Sequence, residues 1–88
     1  MSEGHEDDRP IGTVTHYFSH LSVAAVALDD PLKVGERVHI KGHTTDLVQT
    51  ITSMEVDHTS IDEAKPGDDL AVHVDDHVRD HDKIYREQ

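Results

Sequence analysis

The sequence predicts an all-β domain, a small six-stranded closed barrel with Greek-key-like connections. Two observations lead there. From Ile11 onward, short runs rich in Val, Ile and Thr are cut by Gly, Pro, Asp and Ser, the grammar of short antiparallel strands. And only 34% of residues are apolar, with Tyr17, Phe18 and Tyr85 the sole aromatics. The core is therefore aliphatic, which suits thin sheets and leaves little apolar side chain to line a large ligand cavity. The 88 residues fit one domain. We place it at residues 11–86, after a disordered acidic leader at residues 1–10 (MSEGHEDDRP), where no apolar period occurs.

Ile11 to Phe18 reads as the first strand, with Gly12 marking a bend or a close backbone approach. Ser22 to Leu28 (SVAAVAL) is the second and is apolar on both faces. Asp29-Asp30-Pro31 ends it, because Pro has no amide to give a ladder. Lys33-Val34-Gly35-Glu36 is a turn that launches Arg37 to Lys41, with Val38 and Ile40 on one face. Leu47 to Val56 is the longest strand; the odd spacing from Ile51 to Met54 predicts a bulge near Thr52-Ser53. Ser60 and Glu63 stand at capping-box spacing, which predicts one helical turn over Thr59 to Ala64. Pro66-Gly67 fits the two central positions of a type II turn. Asp69 to Val74 alternates cleanly, and Lys83 to Arg86 closes the set. No internal repeat is evident.

Charge is the strongest feature of the composition. Asp and Glu total 19 against 8 Lys and Arg, a net charge of −11. A disordered acidic chain conflicts with the patterned Val and Ile segments. A docking surface for a basic partner is a second reading. The favoured one is a halophilic surface, because acid is spread along the whole chain instead of forming one block. The absence of cysteine excludes disulfides, thiolate zinc sites and thiol nucleophiles. The polar start of the chain and the lack of an apolar run of about 18 residues point to a cytoplasmic protein without membrane segments.

Few motifs carry chemistry. His73, His77 and His81 recur at spacings of four among Asp75, Asp76, Asp80 and Asp82. That spacing would align ligands only on a helix, so the segment reads as a solvated acidic surface and no metal or other cofactor is expected. No nucleophile elbow or Ser–His–Asp order appears, and the chain reads as a non-enzyme. The most distinctive stretch is Lys41 to Asp46. Gly42 permits close approach, His43, Thr44 and Thr45 offer hydrogen bonds, and Arg37 and Lys41 supply positive charge. These six residues (Arg37, Lys41, Gly42, His43, Thr44 and Thr45) form the candidate binding loop. Tyr17 and Phe18 are adjacent on a strand and face opposite sides, one toward the core and one toward the surface.

Several segments resemble domain 2 of elongation factor Tu and related translation GTPases. They are Gly12-Thr13-Val14, Lys33 to Ile40 (KVGERVHI), Thr50 to Val56 followed by Ala64 to Leu70 (AKPGDDL), and Val78-Arg79-Asp80 with Lys83-Ile84. With Thr15 to Phe18 and Ile40 to Asp46, the chain is similar to small proteins called translation elongation factor-like. A similar barrel closes some collagenase-type peptidases. The resemblance implies a non-catalytic binding module linked to translation, tRNA or ribosome-related machinery, with a protein or RNA partner. No G-x-x-x-x-G-K-[ST] phosphate loop is present, so nucleotide binding is not expected. The alternative is an adaptor barrel that docks onto a larger enzyme, a collagenase-type peptidase or a GTPase. The acidic surface carries its own test: diluting the protein from molar salt should lower its melting temperature as carboxylate repulsion loses its screening. An unchanged melting temperature in low salt would contradict the halophilic reading.

Overall fold

The computed structural model describes residues 9–87, and residues 1–8 of the expected leader lie outside that range. Ten strands form: β1 (Gly12–Phe18), β2 (Val23–Leu28), β3 (Leu32–Lys33), β4 (Arg37–Lys41), β5 (Asp46–Thr50), β6 (Met54–Val56), β7 (Thr59–Ile61), β8 (Glu63–Ala64), β9 (Leu70–His73) and β10 (Lys83–Arg86). Eight of them make one antiparallel sheet in the order β5-β4-β10-β1-β2-β9-β6-β7; β3 and β8 form a separate two-stranded ribbon. The sheet ends in β5 on one side and β7 on the other. It is an open, curled half-barrel, and the expected closed six-stranded barrel is not formed.

The first cause of the difference lies at Ile51 to Ser53. The expected long strand does not bulge there; it breaks. Before the break β5 pairs with β4, and after it β6 pairs with β9 and β7. The corner is held by backbone bonds from Ile51 N to Glu36 O (2.8 Å), Gly35 N to Ile51 O (2.8 Å) and His73 N to Ser53 O (3.1 Å). The chain thus leaves one end of the sheet and rejoins it near the other. The bulge occurs instead in β1, where the register with β2 slips between Val14 and His16. Thr15 absorbs the extra residue and turns its hydroxyl to Ala25 O at 3.2 Å.

The second cause is the segment expected to hold a helical turn. It is extended, supplying β7 and β8. Asp57 and His58 lie between the paired Val56 and Thr59, with φ of 55° and 65°. A two-residue connection with both angles positive is the type I′ geometry that matches the twist of a hairpin. Asp and His enter the left-handed region more readily than bulky residues do.

Two turns follow the expectation. In Lys65-Pro66-Gly67-Asp68, Gly67 has φ of +95° and Asp68 N bonds Lys65 O at 3.1 Å. This is the type II turn that needs glycine third. Lys33-Val34-Gly35-Glu36 repeats it, with Gly35 at +99° and Glu36 N on Lys33 O at 3.2 Å. In each turn the last residue's carboxylate also accepts from the lysine amide, at 3.0 Å from Asp68 and 3.1 Å from Glu36. Leu32 faces Ala64 in the ribbon, so the two copies run antiparallel side by side. Leu32 to Ile40 and Ala64 to Val72 are therefore a short internal repeat, ribbon strand, turn and sheet strand, related by a local two-fold.

The core is aliphatic. Val14, Ala24, Leu32, Val38, Ile40, Ile51, Met54, Ala64, Leu70, Val72, Val74, Val78 and Ile84 are each at most 2% exposed. Among them sits one buried amide side chain, Gln49 on β5, also 2% exposed. Its Nε2 donates to His73 O (3.1 Å) and Thr50 O (3.3 Å), and its Oε1 accepts from Asp75 N (2.8 Å). It ties the first strand of the sheet order to the chain just beyond β9, where no backbone ladder joins them. Gln49→Ala strands the partly buried carbonyl of His73 and amide of Asp75. It should cost about 1–3 kcal/mol, lowering the melting temperature by roughly 5–15 °C. An exposed-loop control, Thr44→Ala, should stay within about 0.5 kcal/mol of the parent in the same urea titration.

Candidate interaction surfaces

Gly42 to Thr45 is the loop of the β4–β5 hairpin, closed by Gly42 N on Thr45 O at 2.9 Å. The structure gives the glycine a local reason. A Cβ at position 42 would collide with the carboxylate of Asp82. Asp82 is itself buried (4% exposed) and accepts from Arg79 N at 2.8 Å. The close approach read from Gly42 is thus to the protein's own aspartate. Thr45 is buried, whereas Lys41, His43 and Thr44 are exposed. Arg37 stands at the opposite end of β4, on the same face as Lys41, and its Nη1 donates to Thr50 Oγ1 at 3.3 Å.

That outer face of β4 and β10 carries Arg37, His39, Lys41, Lys83 and Tyr85 in register. Sequence reading passed over His39. Its Nε2 lies 2.5 Å from Asp46 Oδ1, and its Nδ1 lies 4.0 Å from Glu87 Oε1. Lys83 Nζ donates to Thr13 Oγ1 at 3.2 Å. The cations are interleaved with carboxylates and hydroxyls, so the surface is of mixed charge and no single ligand polarity is imposed on it.

The histidines of the 73–82 segment do not converge. His73 ends β9, His77 lies tilted against Tyr17 with ring centroids 5.0 Å apart, and His81 occupies a left-handed turn at φ 76°. No cluster of three or more His, Asp or Glu side chains with metal-binding geometry occurs among the described residues. Tyr17 packs against the core from a half-buried position, whereas Phe18 is on the surface (36% exposed) in edge contact with His16 at 4.5 Å.

A second surface was only half visible in the sequence. Strand β2 is apolar on both faces. Ala24, Val26 and Leu28 enter the core, but Val23, Ala25 and Ala27 look outward and no element of the described chain covers them. The register sets Phe18 beside Val23 on one side, with His73 beside Val23 and Ala71 beside Ala25 on the other. Leu21, at the tip of the β1–β2 hairpin, is 58% exposed. The lack of alternation in SVAAVAL was the signal; the sequence could not say that one of its two faces has no partner.

No protein-family model matches the chain. It is 34% identical over 76 residues to an uncharacterized protease of Methanocaldococcus jannaschii; the match takes in 85% of this chain and 19% of that protein. The chain thus spans about a fifth of the curated relative it matches. Two solved structures of the C-terminal domain of a Geobacillus thermoleovorans protein described as a U32 peptidase superpose on it. One does so with a TM-score of 0.85 at 16% identity, over 100% of this chain and 99% of the domain. The other, a selenomethionine variant, gives 0.82 at 17%, over 89% and 99%.

These matches correct the reading drawn from elongation factor Tu. The segments behind that resemblance, KVGE and KPGD above all, are the two type II turns. Their composition records a backbone geometry that unrelated β-ribbons share. The expected translation, tRNA and ribosome partners fall with the resemblance: the proteins found similar are a protease and a C-terminal domain of a protein described as a U32 peptidase. What it matches among these structures is a C-terminal domain. Its fold is that of the domain ending the Geobacillus protein.

Proposed function

We propose that the chain is a non-catalytic accessory domain that docks onto a larger peptidase body. The observation that carries this is the arithmetic of the match: nearly the whole chain aligns with a segment that is only 19% of a protease. A domain of this kind needs a surface for the remainder, and the uncovered face of β1, β2 and β9 supplies one. Phe18, Val23, Ala25, Ala27 and Ala71 make its middle apolar. Small side chains let a second layer approach closely at little cost in side-chain entropy. Contiguous exposed apolar surface of this sort marks interaction sites.

Purification of the tagged chain from its native host, at the host's own salt, should bring down a polypeptide of a peptidase family, insensitive to ribonuclease, with peptide-hydrolysing activity in the eluate. Ala27 is exposed and its replacement by Glu leaves the core intact. Ala27→Glu should reduce that capture about tenfold or more, while Thr44→Glu in the β4–β5 loop leaves it unchanged. Recovery of ribosomal or tRNA components instead, or of the bait alone, would contradict the proposal.

A further inference from the structure

Within the uncovered face lies one depression of about 190 Å³, lined by Val23, Ser53, Glu55, Ala71 and His73. It is smaller than the roughly 300–1,000 Å³ that ordinary small-molecule sites occupy, so it suits a single side chain better than a free cofactor. Its floor is apolar, from Val23 and Ala71. Its polar groups are the Glu55 carboxylate, which only accepts hydrogen bonds, the Ser53 hydroxyl, which can accept or donate, and the His73 imidazole.

Two further facts describe its surroundings. The Nδ1 of His73 is closed off from solvent and has no hydrogen-bond partner among the described residues, with Asp75 Oδ1 3.8 Å away. And Glu55 makes no ion pair among the described residues. The outward residues beside it on β9 and β2 are Ala71, His73, Val23 and Ala25.

We propose that this depression is the socket for an arginine side chain presented by the docked peptidase body, an inference that rests on the docking reading above. A carboxylate beside a hydroxyl over an apolar floor suits a cationic donor on an aliphatic stem. Guanidinium has five donors in a planar fork, and it is more weakly hydrated than an ammonium, so it enters a partly dry site at lower cost. The net charge of −11 favours the approach of a cationic anchor, and a pair in direct contact is screened by salt much less than separated surface charges are. Arginine in a small pocket at the middle of an apolar patch is a recurrent way of fixing the register of an interface.

The test is a titration of the isotopically labelled full chain, followed by amide NMR, with arginine amide as the probe and norleucine amide as the control that keeps the α-ammonium and lacks the guanidinium. Arginine amide should give saturable shifts centred on Val23, Ser53, Glu55, Ala71 and His73, with norleucine amide giving little. Glu55→Gln should weaken the arginine response about fivefold or more. Absence of saturable shifts, an equal response to norleucine amide, or an unaltered response in Glu55→Gln would overturn the socket. The probe needs no peptidase, so that outcome leaves the docking proposal standing; failure to capture a peptidase, by contrast, removes the docking proposal itself.

Discussion

The fold depends on one side chain standing in for a missing ladder. An eight-stranded sheet twists of itself, but its own ladder does not join its two ends. Here Gln49 reaches from β5, first in the sheet order, to the backbone at His73 and Asp75 beyond β9. An amide carries both a donor and an acceptor, so it can occupy a carbonyl and an N–H that would otherwise lack partners. That it is 2% exposed, inside an aliphatic core, makes its bonds obligatory, because an unsatisfied amide there would oppose folding. The core the bridge encloses is thin and made of Val, Ile, Leu and Ala, in line with a composition of only three aromatics.

Much of the architecture was legible because backbone geometry leaves a residue signature. Pro66-Gly67 and Gly35 announce type II turns, since only glycine takes the positive angle there without strain. The alternation of Arg37 to Lys41 and of Asp69 to Val74 marks half-buried strands. What failed did so for stated reasons. Asp57-His58 makes a hairpin turn without the glycine or asparagine that usually advertises one. The capping-box spacing of Ser60 and Glu63 is local, and tertiary pairing with β6 overrode it. The irregular spacing at Ile51 to Met54 was a true signal of a broken period, but period alone cannot separate a bulge from a corner. The internal repeat was masked because Val34 and Pro66, or His39 and Ala71, share geometry but not chemistry.

The candidate loop teaches a related lesson. Gly42, exposed polar neighbours and nearby cations resemble a ligand loop in one dimension. In three dimensions the glycine makes room for Asp82, and Arg37 stands at the other end of the strand. The more informative stretch was Ser22 to Leu28. Apolar residues on both sides of a strand in a small acidic protein demand a partner on both sides. The core is one. On the second side, no element of the described chain lies. An acidic surface around an apolar face also restrains unwanted association, since net charge disfavours self-contact.

The central claim, that the outer face of β1, β2 and β9 is covered in the working assembly, can be read directly because the chain contains no cysteine. Single cysteines placed at Ala27 and at Thr44 give two reporters on otherwise unreactive protein. The labelling rate of each would be measured for the free chain and for the chain bound to its captured peptidase. The account expects Ala27→Cys to be shielded on binding while Thr44→Cys reacts at its free rate. Equal labelling of Ala27→Cys in the two states, or shielding at Thr44→Cys alone, would contradict it.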